Sequence, residues 1–233
     1  MPKRYWYIIL TYALCQISTL AGVPILYYLV GLSRNNSIAI WSIISFSIAT
    51  LIILRLLKPD MTNLSHERSG KGGIILWSIL GVFMALFSQG IAVQIESLFG
   101  ISQGSENTRD IIEVAQQSPL FILLPVVFAP ITEEIIFRKI IFGSIYKRTN
   151  FIVAVLISSI IFGAFHFDFS HILIYTAMGM VFAFLYVKTK SIITPIVAHM
   201  AMNSLVVVAQ YGISEEEYED IMEQLQMILI GGF

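Results

Sequence analysis

The chain has 233 residues, of which 57% are apolar and only 12% charged, and its mean hydropathy is +0.81. Soluble domains run nearer ~45–50% apolar and ~25% charged, so a water-soluble fold of this composition would leave too much apolar surface uncovered. The net charge of −1 gives no bulk attraction to nucleic acid, and the lone Cys15 excludes a disulfide framework or a cysteine-based metal site.

The expected architecture is therefore all-α: a polytopic transmembrane helical bundle of about seven spans, within a range of six to eight, at ~20 residues per crossing. The first apolar run, 5–32, follows Lys3 and Arg4. It is too long for a signal-peptide core and no small-residue cleavage site follows, so the span is expected to be retained. Further runs fall at 38–57, 74–95, 119–146, 151–167, 172–187 and 192–211, with 96–118 read as a connection. The piece 227–233 is too short to cross and is expected at a surface. Trp6, Trp41 and Trp77 read as interfacial anchors, and the acidic stretch at 215–220 reads as a solvated face. There is no internal repeat. The chain divides into membrane helices without a motif (1–118), a membrane core carrying the chemistry (119–211) and an acidic tail (212–233).

Basic residues assign the sides. Twelve of the fourteen Lys and Arg flank alternate connections, among them Lys3, Arg4, Arg55, Lys58, Arg68, Lys71, Arg138, Lys147 and Lys188, whereas Arg34 and Arg109 fall on the other side. By the positive-inside pattern the N-terminus is expected in the cytoplasm and the tail outside.

Polar groups inside the spans carry the chemistry. Of fifteen acids, only Glu133 and Glu134 sit in the middle of an apolar run, with Arg138 one turn on. Adjacent carboxylates there are costly unless they face a cavity or have partners, and an intramembrane ionisable residue is a functional candidate. Glu134 and Arg138 are i and i+4 and can pair along one face. Glu133 is turned ~100° away and lacks a charged partner on its own face, the setting in which a carboxylate serves as a general base. The reverse assignment of the two glutamates remains open. His166 stands four residues after Phe162, and His199 four before Asn203. Singly such groups are more often interhelical glue, but on three spans they form a constellation. Pro125, Pro130 and Pro195 fall near it, where released carbonyls can line a wet cavity. At ~1.5 Å per residue, His199 lies ~13 Å, Glu133 ~20 Å and His166 ~24 Å from the cytoplasmic ends of their spans, so convergence needs tilt, a kink or shifted helix ends.

The series Glu133-Glu134-x-x-x-Arg138, Phe162-x-x-x-His166 and His199-x-x-x-Asn203 resembles the CAAX-processing and bacteriocin-processing (Abi) family of intramembrane proteases. The likeness covers about residues 119–208, without departure at any motif position. The resemblance implies an endopeptidase acting on membrane-associated peptides or proteins: CAAX-type, peptide-pheromone or bacteriocin-like substrates. It implies that Glu133 activates water, that His166 holds that water, and that His199 with Asn203 stabilises the oxyanion. Glu134 and Arg138 would support them, and Phe162 would pack beside the histidine. The composition suggests a bacterial chain in the plasma membrane.

Two schemes fit these residues. One is metal-free and is favoured. The other makes Glu133, His166 and His199 a zinc site with Glu134 as base, although the H-E-x-x-H motif is absent. No cofactor is otherwise called for, the partners expected are the substrate and the lipid bilayer, and the oligomeric state is open. The rival functions are a proton-coupled transporter, since Glu and His also build proton relays, and a non-catalytic scaffold or self-immunity protein. Small size and lack of repeat symmetry weigh against the transporter. Ser158 and Ser159 lack a G-x-S-x-G context, His66 reads as solvated and His171 as interfacial.

Overall fold

Each of the seven apolar runs forms helix in the computed structural model, which describes residues 1–62, 68–102, 104–212, 217 and 220. Helix α1 runs Lys3–Leu29, its last turn widened to π geometry after Pro24; α2 is Arg34–Thr62 and α3 is Lys71–Leu98. A short helix, α4, covers Glu106–Gln117, and α5 covers Pro119–Tyr146. Phe151–Ala164, Ile172–Thr189 and Ile193–Gln210 follow as α6, α7 and α8. There is no strand among the described residues. Among the described residues, six helices are long and apolar enough to cross a membrane. The fifth expected span, α6, has 14 residues and a rise of only ~21 Å. His66, most of the acidic stretch and 227–233 lie outside the described residues.

Contacts at the two ends fix an up-and-down order. At one end Arg4 pairs with Asp60, Arg68 Nε donates to Ser191 Oγ at 3.2 Å, and the Ser69 amide donates to the Thr189 carbonyl at 3.0 Å. At the other, Glu96 meets His171 at 2.8 Å, Asn35 reaches Glu113 at 3.3 Å, and Ser105 donates to Asp168 at 2.8 Å. The first end carries nearly all the basic residues named above. Among the twelve assigned to that side Arg138 is the exception, for it is fully buried and belongs to the core rather than to a flank.

Small residues let the helices close. A Cβ on Gly179 of α7 would lie 2.9 Å from the Ser159 Cβ of α6, and one on Gly163 would lie 2.9 Å from Thr176 Oγ1, the close approach that holds helices together where lipid offers no hydrophobic drive. Trp41 does not sit as a simple interfacial anchor: its indole Nε1 donates to Ser18 at 3.0 Å and its ring covers Gly22. A Cβ at Gly22 would fall 1.8 Å from that ring. Gly22→Ala is therefore expected to cost ~1–3 kcal/mol by overpacking and to shift Trp41 fluorescence, read by thermal unfolding in detergent.

Two departures from the sequence reading shape the site. The stretch 96–118 holds α4, capped by Ser105 Oγ accepting from the Thr108 amide at 3.2 Å. It buries Ile112, Val114 and Ala115, the last two in a cluster with Ala39 and Phe121. Helix α5 is not uniform: Pro119–Ile122 is a 3₁₀ turn, Leu124–Phe128 and Ile135–Phe142 are π-helical, and only Ala129–Glu134 and Gly143–Tyr146 are regular. Such π segments inside helices often mark functional sites.

Candidate active site

The site is built on α5, α6, the turn after α6, and α8. On α5, Glu133 and Glu134 occupy the end of the regular segment, immediately before the π-helical stretch. His199 of α8 lies between them: its Nδ1 donates to Glu134 Oε1 at 3.1 Å while its Nε2 faces Glu133 Oε2 at 4.0 Å. One imidazole thus bridges the angular step between neighbouring carboxylates. Burial separates the two acids, since the Glu134 side chain is wholly buried and that of Glu133 retains 14% exposure. Tyr12 of α1, whose hydroxyl accepts from Gln16 at 3.2 Å, lies within electrostatic reach of Glu133.

Glu134 is held from the other side by Arg138, whose Nε stands 3.1 Å from Oε2. None of the guanidinium nitrogens makes a directed hydrogen bond, so the contact is an ion pair held by charge. The guanidinium carbon sits 4.5 Å from the Phe162 ring centre and 5.8 Å from that of Phe182, within cation–π range. Phe162 is central: fully buried, it meets His166 edge-on at 4.6 Å and His199 at 6.0 Å.

His166 is not on α6, the fifth expected span, which ends at Ala164. It occupies the following turn, next to Phe167 with φ +56°, a left-handed conformation uncommon for an aromatic residue and of a kind that collects at functional sites. The turn folds the imidazole back so that Nδ1 donates to the Phe162 carbonyl at 2.9 Å. The short helix and this turn-back bring together depths that a straight span would separate. His166 also lies within electrostatic reach of Glu133 and His199.

Asn203 does something the sequence did not indicate. Its Nδ2 donates to the Pro125 carbonyl at 2.8 Å. In this π segment the Ala129 amide bonds to Leu124, and the next partner in register is Pro130, which has no N–H, so the Pro125 carbonyl lacks a backbone donor. Asn203 supplies one with half of its amide's donor capacity. Asn203→Ala should leave that carbonyl unpaired and cost ~1–3 kcal/mol, seen as a lower unfolding temperature in detergent.

Sequence reading also missed the pairing of Glu96 with His171. Both are buried, at 4% and 5% exposure, so the histidine is partnered rather than solvated. Ser158, by contrast, bonds its own backbone at Val155, as serines in helices do. The zinc scheme would need Glu133, His166 and His199 as ligands and Glu134 as base. Among the described residues no group of three or more His, Cys, Asp or Glu stands where it could hold a metal ion. Glu134, the base that scheme needs, is sealed between Arg138 and His199.

The structure is an all-helical bundle with a buried Glu–His–Arg cluster on a disrupted helix, and the comparisons supply the class of protein. The family described as Type II CAAX prenyl endopeptidase Rce1-like matches residues 115–205. The chain is 46% identical to the "Putative membrane peptidase YdiL" of Bacillus subtilis, over all of both chains. It is 32% identical to the "Membrane-embedded CAAX protease MroQ" of Staphylococcus aureus, over 97% of each. A shorter likeness, 37% identity over 33% of this chain and 42% of the other, links it to the "UPF0177 protein YxdF" of Lactococcus lactis. No solved structure matches. The chain belongs to the Rce1-like CAAX protease family of membrane peptidases.

Proposed function

We propose that the protein is an intramembrane endopeptidase that hydrolyses membrane-associated peptides or proteins with a water activated by Glu133, without a metal. The observation that carries this reading is the His199 ring set between two carboxylates of which only Glu133 is accessible. The 4.0 Å between His199 Nε2 and Glu133 Oε2 is too long for a direct hydrogen bond, and it matches two ~2.8 Å legs meeting at a shared oxygen.

The water attacks the scissile carbonyl carbon while Glu133 takes its proton and His166 Nε2, left as an acceptor by the Nδ1 bond, holds it in line. The step uses His199 with both ring nitrogens as donors, Nδ1–H to Glu134 and Nε2–H toward the substrate. That Nε2–H, with the remaining amide hydrogen of Asn203, meets the oxyanion. Glu133 then returns the proton to the leaving nitrogen as the C–N bond breaks, giving an acid and an amine. Glu134 and Arg138 orient His199.

The substrate class follows the family: CAAX-type, peptide-pheromone or bacteriocin-like segments presented from the membrane, at a plasma membrane with the basic end and N-terminus in the cytoplasm. The test places purified protein in nanodiscs with internally quenched membrane peptides, including a farnesylated peptide ending in a CAAX box. Scission at one bond, with two fragments identified by mass, is expected. Proton flux or peptide uptake across proteoliposomes without scission would favour the carrier instead.

A further inference from the structure

Helix α7 carries none of the motif residues, yet it sets an aromatic ring face to face against each of the two site histidines. Tyr175 lies on His166 with ring centroids 4.0 Å apart and planes at 21°. Phe182 lies on His199 at 4.7 Å and 20°. The two rings are seven residues apart, two turns and ~10 Å along one helix face. Phe162 meets both imidazoles edge-on, at 71° and 79°. Each imidazole therefore has one plate, one edge and one hydrogen bond through Nδ1. The hydrogen bond fixes a point on the ring, about which it can still pivot; the plate fixes the plane, and with it the aim of Nε2.

Both plates are anchored. Phe182 is fully buried and shares Arg138 with Phe162. The Tyr175 hydroxyl lies 2.8 Å from Ser105 Oγ and accepts from Asn107 Nδ2 at 3.3 Å, while Ser105 donates to Asp168 at 2.8 Å. The donors and acceptors close in one direction, from Asn107 through Tyr175 and Ser105 to Asp168. This chain joins the cap of α4 to the plate under His166.

We propose that Tyr175 and Phe182 are positioning residues of the hydrolysis, fixing the planes and the separation of the two imidazoles, and that Tyr175 makes the orientation of His166 depend on the docking of the α4 cap. The inference rests on the catalytic reading of His166 and His199. Because a misplacement of ~1 Å can cost ~100-fold in rate, loss of a plate should act on turnover and leave substrate binding nearly unchanged.

The test compares Tyr175→Phe, Tyr175→Leu, Ser105→Ala and Phe182→Leu with wild type in nanodiscs, and Tyr175→Leu also in a His166→Ala background. The first readout needs no substrate. In protein carrying ¹³C-labelled histidine, the His166 ring protons, assigned by their loss in His166→Ala, should lie upfield through the Tyr175 ring current. They should keep that position in Tyr175→Phe and lose it in Tyr175→Leu; the His199 ring protons should respond to Phe182→Leu. The second readout is kcat and KM on the farnesylated CAAX peptide. Tyr175→Leu should lower kcat ~100-fold with KM steady, Tyr175→Phe should restore most of it, and Ser105→Ala should fall between them with the ring intact. In His166→Ala the added Tyr175→Leu should have no further effect, because nothing is left to position. Unmoved His166 resonances in Tyr175→Leu, or an equal loss with and without His166, would overturn the inference. Full turnover by His166→Ala would instead remove the catalytic reading of that residue, an outcome the resonance shifts keep separate. Should Tyr175→Leu fail to fold, Ser105→Ala and Phe182→Leu carry the same comparison.

Discussion

Glu133→Gln should leave a folded, membrane-inserted protein that no longer cuts peptide, with turnover down by ~10²–10⁴, the usual contribution of a general base. The amide keeps the volume of the carboxylate and can still hold a water, but it cannot take the proton. Glu133 retains 14% side-chain exposure and stands 4.0 Å from His199 Nε2, beyond hydrogen-bond reach, so its replacement removes a loose, partly solvated contact rather than one of the buried pairs that hold the fold. The unfolding temperature should accordingly stay near that of wild type. Cleavage of the farnesylated peptide and thermal unfolding, read on one preparation, test both halves. A variant that cuts normally would move the base to Glu134, the alternative left open by the sequence.

Arg138→Met should have the opposite profile, with a large loss of stability. The guanidinium is wholly buried and stands 3.1 Å from an equally buried Glu134. Truncating one partner strands a charge, at a cost of ~3–5 kcal/mol, whereas replacing both by neutral groups of similar volume is often close to neutral. Adding Glu134→Gln to Arg138→Met should therefore recover most of the lost stability while activity stays low, because His199 Nδ1 then faces an amide in place of the carboxylate that orients it. Unfolding temperatures of the two single variants and the double variant give the measurement. Additive losses would mean that the pair is not the unit proposed.

Much of this site was legible because intramembrane charge is rare. Glu133, Glu134 and Arg138 stood out against an apolar run, and i,i+4 spacing alone anticipated the Glu134–Arg138 pair. Convergence of Glu133, His166 and His199 was expected only with tilt, a kink or shifted helix ends, and one ring set between two acids was not, since helix-end positions decide depth and are poorly marked in uniformly apolar sequence. His166 was placed one turn too far into a helix for that reason: Phe165 and Phe167 continue the apolar pattern, and only the backbone reversal at Phe167 ends it. Helix α4 did carry a signal, a Ser cap before Ile111, Ile112, Val114 and Ala115, but its length is below that of a crossing. The roles of Tyr175 and Phe182 had no local mark, because an aromatic residue in a membrane helix reads the same whether it faces lipid or a histidine. The pairing of Glu96 with His171 is equally silent in sequence: the partners lie 75 positions apart and meet only once α3 and α7 pack.

Direct activation of water by Glu133 can be read by assaying metal content and peptide cleavage together on one purified sample before and after exhaustive chelation. Cleavage should persist after chelation in protein holding far less than one zinc per chain, and should be lost in Glu133→Gln. Activity that falls with chelation and returns in proportion to zinc bound at one per chain would contradict direct activation.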